Sequence, residues 1–483
     1  MTPKLDDRLL WVIATIALIV TLSACGPRPG RAAASAPPNR VRTILPDTTG
    51  RFGLIQIIDD YGHADDGSIL GPLSISQIKT EAAHYDSVWA SFEPRIWESV
   101  HRGLIVSRYM IPNEDNALIS GHDLAWWRKK HPDWVLYACD ARGNPTEATP
   151  WSGVGFSDVP LDIHNPDVVR YQAHLLGDYM IANGYNALAV DNFTFANYMK
   201  APNPVLGQGD PKAEWYACGI FQSGRFIRRY GSVGSSDFAQ PDPAWIADLL
   251  NWIGTVRHIF ATDRKLAPRQ LKILVNHPIL GSAPNGDEQQ MLRSVDGVVV
   301  ENGFTAYGRY ASPRSRSLPA LFTQTLSWMQ AVQARHIAVF VTDYFCDGGV
   351  TVDGTPCSYD PKTLSAPQVD WALATYAITN EGGANVYVAP QGGDNYSYRP
   401  EYAKTYGAPC GSFTQDGDVY MRSFQRGMAI VNASYATHTV NLPLHRSFTD
   451  IEGRPLTNPL VVNGADGYML LTSPDNCSAK DKP

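Results

Sequence analysis

The stretch GYNALAVDNF, residues 184–193, decides how this chain reads. Ala187-Leu188-Ala189-Val190 is an unbroken apolar run of strand length that suits a strand covered on both faces, and it ends without a turn residue in Asp191 and Asn192. A carboxylate is costly to bury unless it is paired, hydrogen-bonded or neutralised, so one placed at the end of a buried strand points to a structural network or to chemistry. The stretch SVDGVVVENGF, residues 294–304, repeats the pattern, with Val298-Val299-Val300 terminating in Glu301.

Working outward, similar short apolar runs recur at Phe52–Ile58, Ser87–Ser91, Gly103–Met110, Ala187–Asp191, Leu271–Asn276, Gly297–Glu301, Ile337–Asp343 and Ala384–Ala389. Amphipathic segments at helical spacing lie between them, at Ile75–His84, Asp167–Asn183, Pro243–Ala261, Asp287–Ser294, Leu318–Ala334 and Pro367–Asn380. Strands alternating with helices predict a parallel sheet, and eight such strands predict an α/β fold of the (β/α)8 TIM-barrel type. From about residue 406 the texture changes to short alternating runs such as DVYMRSF and RGMAIVNAS, which predict a C-terminal antiparallel β-sandwich. The expected boundaries are 47–405 for the barrel and 406–475 for the sandwich.

In such a barrel the residues at the C-terminal strand ends face the substrate. Those positions carry Asp59 and Asp60, Arg108 and Tyr109, Asp191 and Asn192, Asn276 and His277, Glu301 and Asn302, Asp343 and Tyr344, and Gln391. Asp191 and Glu301, on alternate strands, can reach across one glycosidic bond, one as nucleophile or base and the other as proton donor. Asp59, Arg108, Tyr109, Asn192, Asn276, Asp343 and Tyr344 are the candidate substrate-binding groups, joined by Trp126 as a stacking platform for a sugar ring. Each has a bland counterpart. Asp191 would also suit a helix cap or a pair with Arg108, Asp343 a loop anchor, His277 a satisfied buried histidine, and the tryptophans 126, 127, 134, 151 and 215 the packing of two long loops onto the barrel.

The stretches HPDWVLYACDARGNP, DIHNPDVVRYQAHLL, GYNALAVDNF, SVDGVVVENGF and FQRGMAIVNAS, in that order, resemble hypothetical glycosyl-hydrolase family fifteen, related to the endo-α-1,4-polygalactosaminidases. The resemblance runs over roughly residues 50–472. It implies a (β/α)8 barrel with a C-terminal β-sandwich and acids after the fourth and sixth strands, which are Asp191 and Glu301 here. The same placement is similar to the clan of retaining α-glycosidases, in which the fourth-strand Asp attacks and the sixth-strand acid serves as acid/base. The sugar stays unnamed.

A chain of 483 residues with net charge −7 and no long basic run disfavours nucleic acid as a partner. Lys4 and Arg8 precede the apolar stretch Leu9–Leu22, which has the length of a signal-peptide core and not of a spanning helix. Leu22-Ser23-Ala24-Cys25 resembles a bacterial lipobox, which implies cleavage before Cys25 and a lipid on its thiol; a plain signal peptide is the alternative. Gly26 in place of an Asp resembles the pattern of lipoproteins sorted to an outer membrane. Residues 26–46, rich in Pro, Ala, Gly and Arg, read as a flexible tether.

Six cysteines remain, an even number in an oxidising compartment. Cys346 and Cys357 flank a Gly-rich loop, Cys410 with Cys477 would clip the C-terminal segment, and Cys139 with Cys218 is the pair left over. A zinc site is the rival, and no C-x-x-C spacing supports it. No cofactor and no metal is expected, and a monomer is. Two other functions compete with a hydrolase: a metal-dependent hydrolase, for which His63 with Asp65 is a weak cluster, and a barrel that binds envelope glycans without cleaving them. Only activity separates the last from a glycosidase.

Overall fold

The computed structural model describes residues 44–57, 74–91, 93–115, 117–139, 145, 159–195, 197, 216–231, 242–305, 318–345, 364–390, 398–444, 446–473 and 477. The lipobox-like stretch, residues 26–43 of the expected tether, Asp59, Asp60, His63, Asp65, Trp151, Trp215, Gln391, Cys346 and Cys357 lie outside them, while Leu45, expected in the tether, is buried in the barrel core.

Eight parallel strands follow one another around a sheet: β1 Ile55–Ile57, β2 Ser87–Trp89, β3 Ile105–Met110, β4 Ala187–Val190, β5 Lys272–Asn276, β6 Gly297–Glu301, β7 Ala338–Phe345 and β8 Ala384–Pro390. Each pairs with its successor, and a parallel bridge between Leu54 and Val386, with the Val386 amide donating to the Gly53 carbonyl at 2.8 Å, closes the ring. A helix follows each of the first seven strands: α1 Ile75–Glu81, α2 Pro94–Val100, α3 Pro166–Asn183, α4 Pro243–Thr262, α5 Gly286–Leu292, α6 Leu318–Gln333 and α7 Ala366–Thr379. The predicted TIM barrel is therefore present. The sequence pattern does not single out α2, because seven residues show barely two turns of periodicity.

Pairing register sorts inward from outward residues, since partners on adjacent strands face the same way and successive residues alternate. Tyr109 pairs with Ala189, Ala189 with Leu274, Leu274 with Gly297 and Gly297 with Ala338. These point into the barrel, and the interior is filled by alternating large and small side chains. Gly297 must be glycine: a Cβ there would meet the Phe340 ring at 2.5 Å and Leu274 Cδ2 at 3.0 Å. Two positions along from Ala189 and from Leu274 lie Asp191 and Asn276, and four along from Gly297 lies Glu301, at the C-terminal mouth.

Within the third and fourth loops the structure contains two small sheets that sequence periodicity misses. Tyr137–Cys139, Tyr216–Gln222 and Arg225–Arg228 form a three-stranded antiparallel sheet, and Glu114–Asp115 pairs with Val159–Pro160. A disulfide between Cys139 and Cys218, with Cα atoms 5.4 Å apart, crosslinks two strands of the first of these and so joins the third loop to the fourth. A second joins Cys410 to Cys477 with Cα atoms 5.1 Å apart. The expected Cys346–Cys357 bond lies outside the described residues.

The C-terminal part is antiparallel. Strands β9 Thr414–Asp416, β10 Val419–Phe424, β11 Gly427–Asn432, β13 Phe448–Thr449 and β15 Asp466–Thr472 make one sheet, and β12 His438–Val440 pairs with β14 Leu460–Val462 to make the other. Val419, Ile430, Val440, Phe448, Val462 and Leu470 fill the space between them. Tyr420, Phe424, Ala429, Val431 and Met469 belong instead to the barrel's own core, so one sheet face is continuous with it.

At that seam sits Asp370 on α7, nearly buried. Burial, and then the charges of Asp450, Asp466 and Glu452, push its carboxyl up to about 7, against the opposing effect of Arg454. A carboxyl raised in the folded state contributes stability that is fully present below its unfolded value of 3.8 and is lost as pH rises through 7. Asp370→Asn is therefore expected to stabilise the chain above pH 7 by an amount of order 2–4 kcal/mol. Thermal melts at pH 8 and at pH 4 check this: the gain should vanish at the lower pH.

Candidate active site

Asp191 and Glu301 meet at the mouth of the barrel through one side chain. The Nδ2 of Asn276, at the end of β5, donates to Asp191 Oδ1 at 2.8 Å and to Glu301 Oε2 at 3.1 Å. An amide has two N–H groups and each goes to a different carboxylate. Two contacts of 2.8 and 3.1 Å on one nitrogen hold those oxygens within about 6 Å of each other. Asp191 is half-buried and Glu301 exposed.

Asp191 is further oriented from β3. The Tyr109 hydroxyl donates to Asp191 Oδ2 at 2.6 Å, the short distance expected of a charge-assisted bond, and Asn192 Nδ2 reaches the same oxygen at 3.3 Å. The Asp191 amide donates to the Met110 carbonyl at 2.8 Å, which keeps Asp191 in strand geometry to the rim. Immediately after each carboxylate the chain turns sharply: Asn192 has φ +50° and Asn302 has φ +57°. Asparagine tolerates this left-handed region better than other residues with a side chain, so D-N-F and E-N-G-F are the local signature of a strand end that must present a carboxylate and then bend away.

Alternation along the strands corrects two expected substrate-binding residues. Arg108 precedes the inward Tyr109 and so faces out: it is 3% exposed, lies with its guanidinium carbon 5.6 Å from the centre of the Tyr179 ring on α3, and neighbours Tyr185. It neither reaches the mouth nor is the residue bonded to Asp191. Asp343 likewise follows the inward Thr342, which pairs with Glu301. Its carboxyl is fully buried on the outer side, where Oδ1 accepts the Phe304 amide at 2.8 Å, and burial pushes it up to about 7 against the lowering effect of the Phe304 and Thr305 amides.

Tyr344 does face in, edge-on to Tyr387 with ring centres 6.0 Å apart. Tyr387 pairs with Thr342 and is inward for the same reason; with Trp89 on β2 it is a buried inward residue that counting every second position from Asn385 and Ser87 finds. Trp126 sits on the short helix Leu124–Lys130, where His122 covers one ring face at a centroid distance of 3.5 Å and Trp127 packs edge-on at 4.9 Å. It is part of an aromatic cluster with Trp134 that packs the third loop. Asp59 lies outside the described residues. His277 is fully buried, with Nδ1 on the Phe193 carbonyl and Nε2 without a hydrogen-bond partner among the described residues. Among the described residues no group of three or more His, Cys, Asp or Glu side chains is arranged to hold a metal.

No family model and no curated protein matches the chain. Among solved structures it is similar to an α-amylase of Geobacillus thermoleovorans complexed with acarbose, at 12% identity over 90% of this chain and 100% of that one with TM-score 0.45. It is also similar to an isomaltulose synthase of Klebsiella sp., at 11% identity over 87% and 98% of the two chains with TM-score 0.46, and to an α-amylase of Malbranchea cinnamomea, at 11% over 88% and 96% with TM-score 0.44. Likenesses this remote decide nothing about chemistry, and the barrel stands on its own strand pairing.

Proposed function

We propose that the chain is a glycoside hydrolase acting on an oligo- or polysaccharide with retention of configuration, Asp191 being the nucleophile and Glu301 the acid/base. The observation that carries this is the shared nitrogen of Asn276, whose contacts of 2.8 and 3.1 Å keep the two nearest carboxylate oxygens no more than about 6 Å apart, below the roughly 6.5–9.5 Å that leaves room for a water.

In the first step Asp191 attacks the anomeric carbon while Glu301 gives its proton to the departing glycosidic oxygen, so a carbon–oxygen bond to Asp191 forms as the glycosidic bond breaks. In the second, Glu301 takes a proton from water, the hydroxyl adds to the anomeric carbon and Asp191 leaves. Tyr109 and Asn276, one on each oxygen of Asp191, fix the carboxylate plane and leave the approach along the barrel axis to the sugar. The negative charge of Asp191 disfavours a second charge close by, which suits Glu301 to begin as an acid.

The resemblance to the polygalactosaminidase-related family makes amino-sugar polymers the first substrates to try. A panel of α- and β-linked polysaccharides that includes them should yield reducing ends with the parent and none with Asp191→Asn; a parent that binds glycans and releases nothing would favour a binding barrel instead. The lipobox supports a lipid-anchored place at the cell envelope, in the outer membrane where the host has one. Cys25→Ser should then leave the membrane fraction, and a variant that still sediments with membranes would exclude the anchor.

A further inference from the structure

The two carboxylates share a device that their chemistry does not require. Each is followed by an asparagine at positive φ and then, one or two residues on, by a fully buried phenylalanine: Phe193 after Asp191 and Phe304 after Glu301. In each case the next strand of the barrel sends a fully buried, outward-facing side chain to the main chain of that phenylalanine. From the end of β5, His277 Nδ1 lies 2.7 Å from the Phe193 carbonyl, which can only accept, so Nδ1 carries the proton. From β7, Asp343 Oδ1 accepts the Phe304 amide at 2.8 Å, and the Thr305 amide acts on the same carboxyl.

Behind the first grip, His277 Nε2 lies 3.6 Å from Glu288 Oε1, beyond hydrogen-bond distance, and Glu288, itself fully buried on α5, accepts from Trp328 Nε1 at 2.9 Å and from the Asn285 amide at 2.7 Å. Phe304 stacks obliquely on Phe322 of α6, with ring centres 5.0 Å apart. Gly303 lets the chain pass: a Cβ there would lie 2.4 Å from Val341 Cγ1 and 2.9 Å from Asp343 Oδ1. A carboxyl that sits wholly in the barrel wall, with Oδ2 bonded to nothing among the described residues, is retained at a desolvation cost that packing alone does not require.

We propose that His277 and Asp343 are positioning residues, each setting the direction in which one catalytic carboxylate leaves its strand: His277 for Asp191 and Asp343 for Glu301. This rests on the glycosidase reading above and adds two residues that never touch the sugar. The two braces serve different steps, so they should fail differently. Loosening Glu301 harms proton donation, which a substrate with a good leaving group does not need; loosening Asp191 harms attack on every substrate.

The test compares kcat/KM on an unactivated disaccharide-type substrate and on its nitrophenyl glycoside. Asp343→Ala should lose about 10- to 100-fold on the first and stay within about threefold of the parent on the second, with Asp343→Asn, which keeps an acceptor oxygen, recovering most of the loss. His277→Ala should lose about 10- to 100-fold on both, and His277→Asn, whose amide can replace Nδ1–H, should recover it. Gly303→Ala displaces the same loop as Asp343→Ala without removing the carboxyl, and should show the same acid-selective loss should the alanine variant not fold. Amide exchange at Phe304 and Thr305 should quicken in Asp343→Ala and not in His277→Ala. An equal loss on both substrates in both Asp343→Ala and Gly303→Ala, or unchanged exchange at Phe304, would overturn this inference while leaving the glycosidase reading intact. A parent inactive on the whole panel would overturn that reading, and the catalytic sense of this one with it.

Discussion

Asp191→Asn is expected to lower turnover by about 10⁴-fold or more on any substrate, whereas Glu301→Gln is expected to cost about 10²–10⁴-fold on unactivated substrates and far less on those with good leaving groups. The difference follows from the two roles. A neutral amide at Asp191 cannot form the glycosyl ester, so no leaving group rescues it, while an amide at Glu301 only withholds a proton. The fold should survive both changes. Glu301 is exposed, and at Asp191 the Asn276 amide can keep the remaining carbonyl oxygen while the new amide nitrogen donates to the Tyr109 hydroxyl oxygen. Steady-state kinetics on paired substrates, with melting curves alongside, checks this, and full activity in Asp191→Asn would remove the site.

The largest effect on stability is expected at Arg422. This residue of β10 is 3% exposed, and its Nη1 donates to the carbonyls of Ile378 at 3.1 Å and Asn380 at 2.9 Å, with Ala377 at 3.4 Å, while Nη2 meets Glu381 Oε2 at 3.1 Å. These carbonyls end α7, where the helix has no further amides to satisfy them and where its dipole favours a cation. One guanidinium thus joins the C-terminal sheet to the last barrel helix. Arg422→Ala should destabilise the chain by about 3–5 kcal/mol, because it strands several buried carbonyls at once. A melting temperature within a degree of the parent would show that water or a neighbour replaces the contacts.

What could be read before the structure was the repeating part. Eight apolar runs of strand length, each bounded by polar or turn residues, make the barrel legible, and a carboxylate ending such a run stands out because nothing in a buried strand prepares for a charge. Asp191 and Glu301 stand out for that reason, and Asn276 as the polar end of a third such run. Arg108 and Asp343 fall outside the mouth because adjacent residues in a strand face opposite ways; in both pairs the inward member is the tyrosine, Tyr109 or Tyr344. Counting in steps of two from Ala187 or from Asn385 separates them and adds Tyr387 and, from Ser87, Trp89. The small sheets of the third and fourth loops were not legible, because their pairing joins Tyr137 to Gly219 across a long span and leaves no local period. The grip of His277 on Phe193 was equally hidden, since it depends on which strands are neighbours and not on either stretch alone.

The central claim is that Asp191 forms a covalent bond to the sugar, and proton NMR of the first-formed product on a cleaved substrate tests it most directly. With the two nearest carboxylate oxygens kept no more than about 6 Å apart by Asn276, the product should appear first with the anomeric configuration of the substrate and reach the equilibrium mixture only by later mutarotation. A product that appears first as the opposite anomer would mean a water attacked in one step, and would contradict Asp191 as the nucleophile.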